Sequence, residues 1–349
     1  MNCNKIKSPL VSVVMSVYNT SEDILKQALE SIINQSYKNI EIIIVNDCSD
    51  RDYDFIKDYN DKRIKILKNK ENKGLTYSLN YAIKNSHGEY IARMDSDDIA
   101  YPTRIAEQIK YMEEHQEIGV LGTRAKDFGQ LHNLRGAFPG NPQYINVYSL
   151  FNCSVTHPTV MIRKSFLENN NLQYNEEYRN SQDYELWSRC FIYGDVIAEL
   201  PKCLLYYRIS ETQISSKNNN SCQQQNARKI RESQIERLKI YPNKKEIQIH
   251  NFLSEGVTDD EVFMKEVLAW CDKLISSNNE YAIYNNKMLQ IAIAQQLLAV
   301  LSCTSLKEKY TLHNCCRVVR MLRGNIVLAF TYKVKRRFIN LFIKKHDIK

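Results

Sequence analysis

Three aspartates in four positions, Asp95, Asp97 and Asp98, close the apolar run Tyr90-Ile91-Ala92-Arg93-Met94. Carboxylates this near one another repel unless something positive sits among them. A hard divalent cation, Mg²⁺ or Mn²⁺, is the simplest such group for an all-oxygen donor set. An ion of that kind keeps open positions for substrate oxygens, above all those of a departing diphosphate. Taken alone, the triplet is equally consistent with a solvated turn and helix cap before Pro102. A second acid, Asp47, follows the apolar run 40–45, where it can accept the imide N–H of a uracil ring or simply form a turn. Tyr18, after the run 10–17, suits either the flank of a base or ordinary packing.

The elements that must carry these residues are legible in the hydrophobic pattern. Leu10 to Val17 is β-branched and apolar almost throughout, the mark of a central strand covered on both faces. Thr20 or Ser21 then caps a helix that opens on Glu22 and Asp23 and carries Ile24, Leu25, Ala28, Leu29, Ile32 and Ile33 at helical spacing. Strands follow at 40–45, 63–67, 89–94 and 118–122, with helices predicted from Leu75 and over 102–115. Strands alternating with helices, each strand ending in polar residues, predict an α/β fold with a mostly parallel sheet whose loops converge on one crevice. Further on, Ser181 caps a helix with Asp183 in its first turn, where the amide dipoles favour its charge. Residues 216–226 read as a polar linker or mobile loop. Beyond them apolar positions recur every three or four residues over 227–240, 259–275, 286–301 and 306–322, giving a helical region over 227–349.

The net charge of +8 is concentrated at one end: residues 307–349 hold 12 Lys and Arg against Glu308 and Asp347. Phe330, Val334, Phe338 and Phe342 interleave with Lys333, Lys335, Arg336 and Arg337, a pattern suited to a helix on an anionic membrane surface or to one packed on the body by its apolar side. Nucleic acid is the rival partner for such a charge, and no nucleic acid is expected. No apolar run reaches the length of a membrane span and the first nine residues lack an apolar core, so the expected location is cytoplasmic, with peripheral contact on the inner face of the membrane through the tail. The 10 cysteines include no Cys-x-x-Cys pair, which predicts reduced thiols rather than a zinc site.

Residues 1–215 resemble a glycosyltransferase family 2 enzyme of the GT-A (Rossmann-like) fold. Val13-Val14-Met15-Ser16-Val17-Tyr18-Asn19, Ser31 to Tyr37, Glu41 to Asp47, Asn72-Lys73-Gly74-Leu75 and Met94-Asp95-Ser96-Asp97-Asp98 carry the resemblance together, in order and spacing. It implies a nucleotide-sugar donor, a UDP-sugar first, bound near Val17, Tyr18 and Asn19 with Asp47 on the base. Asp95, Asp97 and Asp98 would hold the ribose and the metal, Asp97 as principal ligand, and Lys73 or Arg93 would stand beside the donor. The segment from His157 is similar to one that lines the acceptor side in such enzymes. Gln182-Asp183 matches the family's usual Glu-Asp, which makes Asp183 the catalytic base, with Gln182 and Trp187 beside the acceptor. The acceptor itself would be a surface or lipid-linked glycan, and the helical region a place for acceptor docking, a homodimer contact or the membrane.

One departure stands out. Ser210 occupies a position where relatives often have a metal- or diphosphate-binding histidine, with Glu211 beside it as a substitute ligand. This keeps a catalytically silent binding or scaffold protein open as an alternative. A sugar-nucleotidyltransferase wants a glycine-rich loop after the first strand, and Ser16 to Thr20 contains no glycine. The Gln-x-x-Arg-Trp signature of processive synthases is absent, so one sugar per encounter is expected.

Overall fold

A computed structural model describes residues 8–129, 133–136, 140–209, 220–257, 261–301 and 306–307. Contacts divide the chain into two units, residues 1–136 with 155–216 and residues 137–154 with 217–349, rather than by the single cut near 215 that the sequence suggested.

The first unit is a sheet flanked by helices. In chain order it holds β1 (Val11–Val17), α1 (Glu22–Ile33), β2 (Ile40–Asn46), β3 (Ile64–Lys68), α2 (Leu75–Lys84), β4 (Tyr90–Asp95), β5 (Ile99–Ala100) and α3 (Arg104–Glu114). These are followed by β6 (Val120–Gly129) and the short β7 (Leu134–Arg135). The strands lie in the order β3-β2-β1-β4, continued by β8 (Met161–Arg163), β6, β9 (Ile197–Ile209) and β5, with β7 on β6. β1 to β4 pair parallel, β8 runs against both β4 and β6, and β9 runs parallel to β6. Two reversals across β8 therefore bring β6 and β9 back into line with β1 to β4. The long strands thus send their carboxyl ends to one edge, where Val17, Asn46, Asp95 and Ile209 terminate.

The core explains the strand pattern. Val11, Val13, Met15 and Val17 from β1 pack with Ile40, Ile42 and Ile44 from β2 and with Leu25, Ala28, Leu29 and Ile32 from α1, all buried. Fully burying one such side chain contributes roughly 1.5–3 kcal/mol, which fixes β1 as the centre of the unit. Gly88 sets the entry to β4: a Cβ there would lie 2.6 Å from the backbone nitrogen of Ser12, whose hydroxyl accepts the Gly88 N–H at 2.8 Å. Between β8 and β9 lie α5 (Lys164–Asn169) and α6 (Gln182–Cys190).

The second unit is helical, with α4 (Pro142–Tyr148), α7 (Asn220–Arg237), α8 (Lys244–Glu255), α9 (Met264–Tyr281) and α10 (Asn286–Val300). Its core gathers Tyr144, Val147 and Phe151 with Ile235, Phe252, Trp270, Leu274, Leu289 and Leu297. Three sequence expectations change here. The linker over 216–226 is helix from Asn220 onward, carried by Gln223, Gln224, Gln225 and Ala227, which favour helix more than a loop. The helix expected from 259 begins at Met264, because Val262 and Phe263 pair parallel with Leu306 and Lys307 as β10 (Val262–Phe263) and β11 (Leu306–Lys307). Leu306 and Lys307 therefore open no helix. The remainder of 306–322 and the basic tail lie outside the described residues. α8 was not foreseen; Asn243 and Glu246 cap it reciprocally and Gly256 ends it with a left-handed φ of 73°.

Candidate active site

β4 delivers the acidic turn. Asp95 is its last residue, aligned with Ser16 of β1, and Asp97 and Asp98 follow in the turn to β5. Ligand oxygens of the three carboxylates lie within 4.8 Å of one another. Asp98 is fully buried; its Oδ1 accepts the Arg208 backbone N–H at 2.9 Å, and its Oδ2 has no hydrogen-bond partner. Burial, with the neighbouring charges of Asp95 and Asp97, raises the Asp98 carboxyl well above the ordinary carboxylate range. A bare buried oxygen among like charges is a group that a hard cation would satisfy, and the all-carboxylate donor set suits Mg²⁺ or Mn²⁺.

Arginines brace this turn. Arg93, expected beside the donor, is instead 3% exposed, and its two terminal nitrogens donate to the two oxygens of Asp95 at 2.5 and 2.7 Å. Burial opposes the Arg93 charge, but Asp95 leads the groups that outweigh it, and its pKa stands above the ordinary value. Arg104 of α3 is fully buried and donates to the Arg93 carbonyl at 2.6 Å, to Gln108 at 3.1 Å and to the sulfur of Met94 at 3.3 Å. Burial lowers its pKa to about 9. Arg208, at the end of β9, donates through Nε to the Asp97 carbonyl at 2.7 Å and through Nη2 to Gln27 at 2.8 Å. Neither Arg104 nor Arg208 was singled out in the sequence. The one signal for Arg104 is its spacing: with Ile105, Gln108, Ile109 and Met112 it forms the buried stripe of α3.

The loops after β1 and β2 are laced to each other. Asn19, at a left-handed φ of 54°, donates from its backbone to Ser49 Oγ at 3.1 Å, and its side chain exchanges hydrogen bonds with Asp50. Thr20 Oγ1 meets Ser96 Oγ at 2.7 Å, tying the β1 loop to the acidic turn. Tyr18 is half exposed at this edge, and Val17 is buried. Asp47 is 2% exposed and accepts three N–H groups, from the Asn69 side chain at 2.7 Å and from the backbones of Lys73 and Gly74 at 2.9 and 2.8 Å. It therefore pins the turn into α2, where Gly74 adopts a φ of 87°; an ionised carboxylate has about four acceptor sites, so roughly one remains. The Lys73 side chain is at the surface, paired with Glu71 and near the Tyr77 ring.

Asp183 lies in the first turn of α6, half-buried, with Oδ1 accepting the Tyr184 N–H at 2.8 Å. Ser181 precedes the helix at a left-handed φ of 61° and makes no side-chain cap there. The residues expected on the acceptor side are buried: His157 at 7%, Gln182 at 8% and Trp187 at 0% exposure. His157 Nε2 meets the Tyr174 hydroxyl at 2.7 Å, and both rings stand edge-on to Trp187. Burial, then Arg93, lowers the His157 pKa well below its ordinary value, so the ring is neutral. Tyr174, missed in the sequence, links this cluster to α2 through Asn80, which donates to its carbonyl at 2.9 Å. The segment holding Ser210 and Glu211 lies outside the described residues.

Residues 12–170 match the family described as Glycosyl transferase family 2. An uncharacterized glycosyltransferase of Haemophilus influenzae is 30% identical over 97% of this chain and 98% of its own length. The chain belongs to glycosyltransferase family 2. The Escherichia coli UDP-Glc:alpha-D-GlcNAc-diphosphoundecaprenol beta-1,3-glucosyltransferase WfaP is 32% identical over 59% of this chain and 80% of its own. Among solved structures, Staphylococcus aureus TarS 1–349 in complex with UDP-GlcNAc superposes with a TM-score of 0.54 at 16% identity, over 93% of this chain and 92% of that one. The mannosyltransferase PcManGT of Pyrobaculum calidifontis, in complex with GDP-Man and Mn²⁺, gives 0.52 at 13% identity, over 97% and 86%. These likenesses fix the GT-A fold of this family 2 glycosyltransferase. No helix among the described residues is long and apolar enough to cross a membrane.

Proposed function

We propose that this family 2 glycosyltransferase moves one sugar from a UDP-sugar to a hydroxyl of a surface or lipid-linked glycan, with inversion at the anomeric carbon. The carrying observation is the cluster of Asp95, Asp97 and Asp98 at the carboxyl edge of the sheet, with one fully buried, unpartnered carboxylate oxygen. A relative 32% identical takes UDP-glucose and a diphosphoundecaprenol-linked acceptor by its name, which supports both the nucleotide and the acceptor class. A neighbour of the same fold that carries Mn²⁺ supports a divalent ion. Asp97 is the principal metal ligand in this account, within a group of three aspartates, Asp95, Asp97 and Asp98, that together would hold the ribose and the ion. Such an ion would neutralise the leaving nucleoside diphosphate.

The chain's own residues do the rest. Asp183 takes the proton from the acceptor hydroxyl as that oxygen attacks, and no covalent sugar intermediate is needed. Asp47 and the loop at Val17, Tyr18 and Asn19 receive the base, with Tyr18 free to lie against its face. Gln182 and Trp187 form part of the buried face of α6, against which the His157 ring stands, and Arg93 acts through Asp95. The basic tail, residues 307–349, brings the enzyme to an anionic membrane surface where a lipid-linked acceptor would lie. Incubation with Mn²⁺ and a panel of nucleotide sugars tests this by the product of slow hydrolysis. Release of a nucleoside diphosphate from one UDP-sugar is the expected result, whereas silence with every donor contradicts it. Liposome flotation with and without residues 307–349 tests the tail: equal flotation of both forms argues against it.

A further inference from the structure

The acidic turn holds a division of labour among its carboxylates, which rests on the donor-site function proposed above. Asp95 is gripped by a guanidinium at both oxygens, at 2.5 and 2.7 Å, in a paired geometry that sets the plane of the carboxylate. The gripping residue is 3% exposed and two positions back on the same strand, and its own carbonyl is held at 2.6 Å by the fully buried Arg104. Asp98 differs: one oxygen takes a backbone N–H and the other has nothing. A cation shared with the oxygens of Asp95 would sit next to a fixed guanidinium charge and compete with it for the same lone pairs. A cation on Asp97 and the bare oxygen of Asp98 would not.

We propose that Arg93 is a positioning residue that holds Asp95 rigid and out of the metal's coordination, leaving Asp97 and Asp98 to take the divalent cation. Asp95 then serves as a fixed acceptor for donor hydroxyls at the strand end. A lysine cannot reproduce this, because it offers a point charge in place of the planar fork.

The test separates cation binding from donor use. Mn²⁺ alone is titrated into the full chain and followed by the electron paramagnetic resonance of the free ion; donor use is followed as nucleoside diphosphate release. Asp97→Asn should weaken Mn²⁺ about tenfold or more. Arg93→Lys and Asp95→Asn should stay within about threefold of wild type for Mn²⁺ while each lowers kcat/KM for the donor about tenfold or more. The double variant should lose no more than the worse single one, because the two residues act as a unit. Mn²⁺ binding weakened by Arg93→Lys or Asp95→Asn as far as by Asp97→Asn overturns the inference, as do losses that multiply in the double variant. Should Arg93→Lys fail to fold by its melting curve, Asp95→Asn alone decides, since it removes the charge without changing volume. A wild-type chain that neither binds Mn²⁺ nor releases nucleoside diphosphate overturns the functional reading beneath the inference. That outcome is distinct from the others.

Discussion

Buried charge is handled differently in the two units of this chain. In the helical unit Glu255 is met by Arg228, at 2.6 and 3.0 Å, and by Arg231. His250, 1% exposed, has both ring nitrogens engaged, by the Leu150 carbonyl at 2.8 Å and the Trp270 indole at 3.1 Å. Of the buried polar atoms without a hydrogen-bond partner there, the Ser154 and Tyr284 hydroxyls are neutral, and the Arg231 Nε belongs to a guanidinium whose other nitrogens meet Glu255 and the Phe151 carbonyl. In the sheet unit three carboxylates are gathered, and Asp98 keeps a bare oxygen. Opposite charges that meet one another are what packing needs. Like charges with a partner missing cost stability until a ligand arrives, which is the mark of a site.

The largest effect should come where the sheet unit does chemistry. Asp183→Asn should lower turnover by roughly 10²–10⁴-fold while donor KM and melting temperature hold, as expected when a base is lost; transfer at the wild-type rate breaks the comparison. Glu255→Gln should destabilise the helical unit by about 3–5 kcal/mol in urea unfolding, the usual cost of orphaning a buried partner. A loss below about 1 kcal/mol would show that the Arg228–Glu255–Arg231 group is no more than a surface pair.

Third comes pH. Burial lowers the His250 pKa to about 4 from an ordinary 6.5, so the folded state holds the ring neutral and the unfolded state binds the proton first. Its contribution is complete above about pH 6.5 and fades as pH falls toward about 4, by about 3 kcal/mol at most. Unfolding free energy measured across that window should fall with acid, and His250→Gln should flatten the slope; an unchanged slope contradicts the burial argument. The smallest effect in stability is Asp98→Asn. Removing a buried like charge should leave stability level or raise it by about 1 kcal/mol while Mn²⁺-dependent activity is lost. Marked destabilisation would mean that Asp98 is structural.

Much of the sheet unit was legible because its signals are local. The β-branched run of β1, the helical spacing of Leu25, Ala28, Leu29 and Ile32, and the aspartates at the β4 end all follow from neighbours in sequence. What stayed hidden depends on partners far along the chain. Arg208 reaches the acidic turn only because β9 runs with β6 and ends at the same edge, 110 residues after Asp98. Arg104 looks like a solvated helix charge until its stripe is seen to face the core. Residues 137–154 carry no chemical motif, and only three-dimensional contacts join them to the helical unit. α8 escaped notice although its Asn243 and Glu246 form a capping box, because Ile247, Ile249, Phe252 and Leu253 make a short, mixed stripe.

The most direct test is anomalous diffraction from crystals grown with Mn²⁺ and UDP. A manganese peak against Asp97 and Asp98 at the end of β4, with the diphosphate on its far side, is the result expected here. A bound nucleotide with no manganese at that turn, or manganese held elsewhere in the chain, would contradict the account.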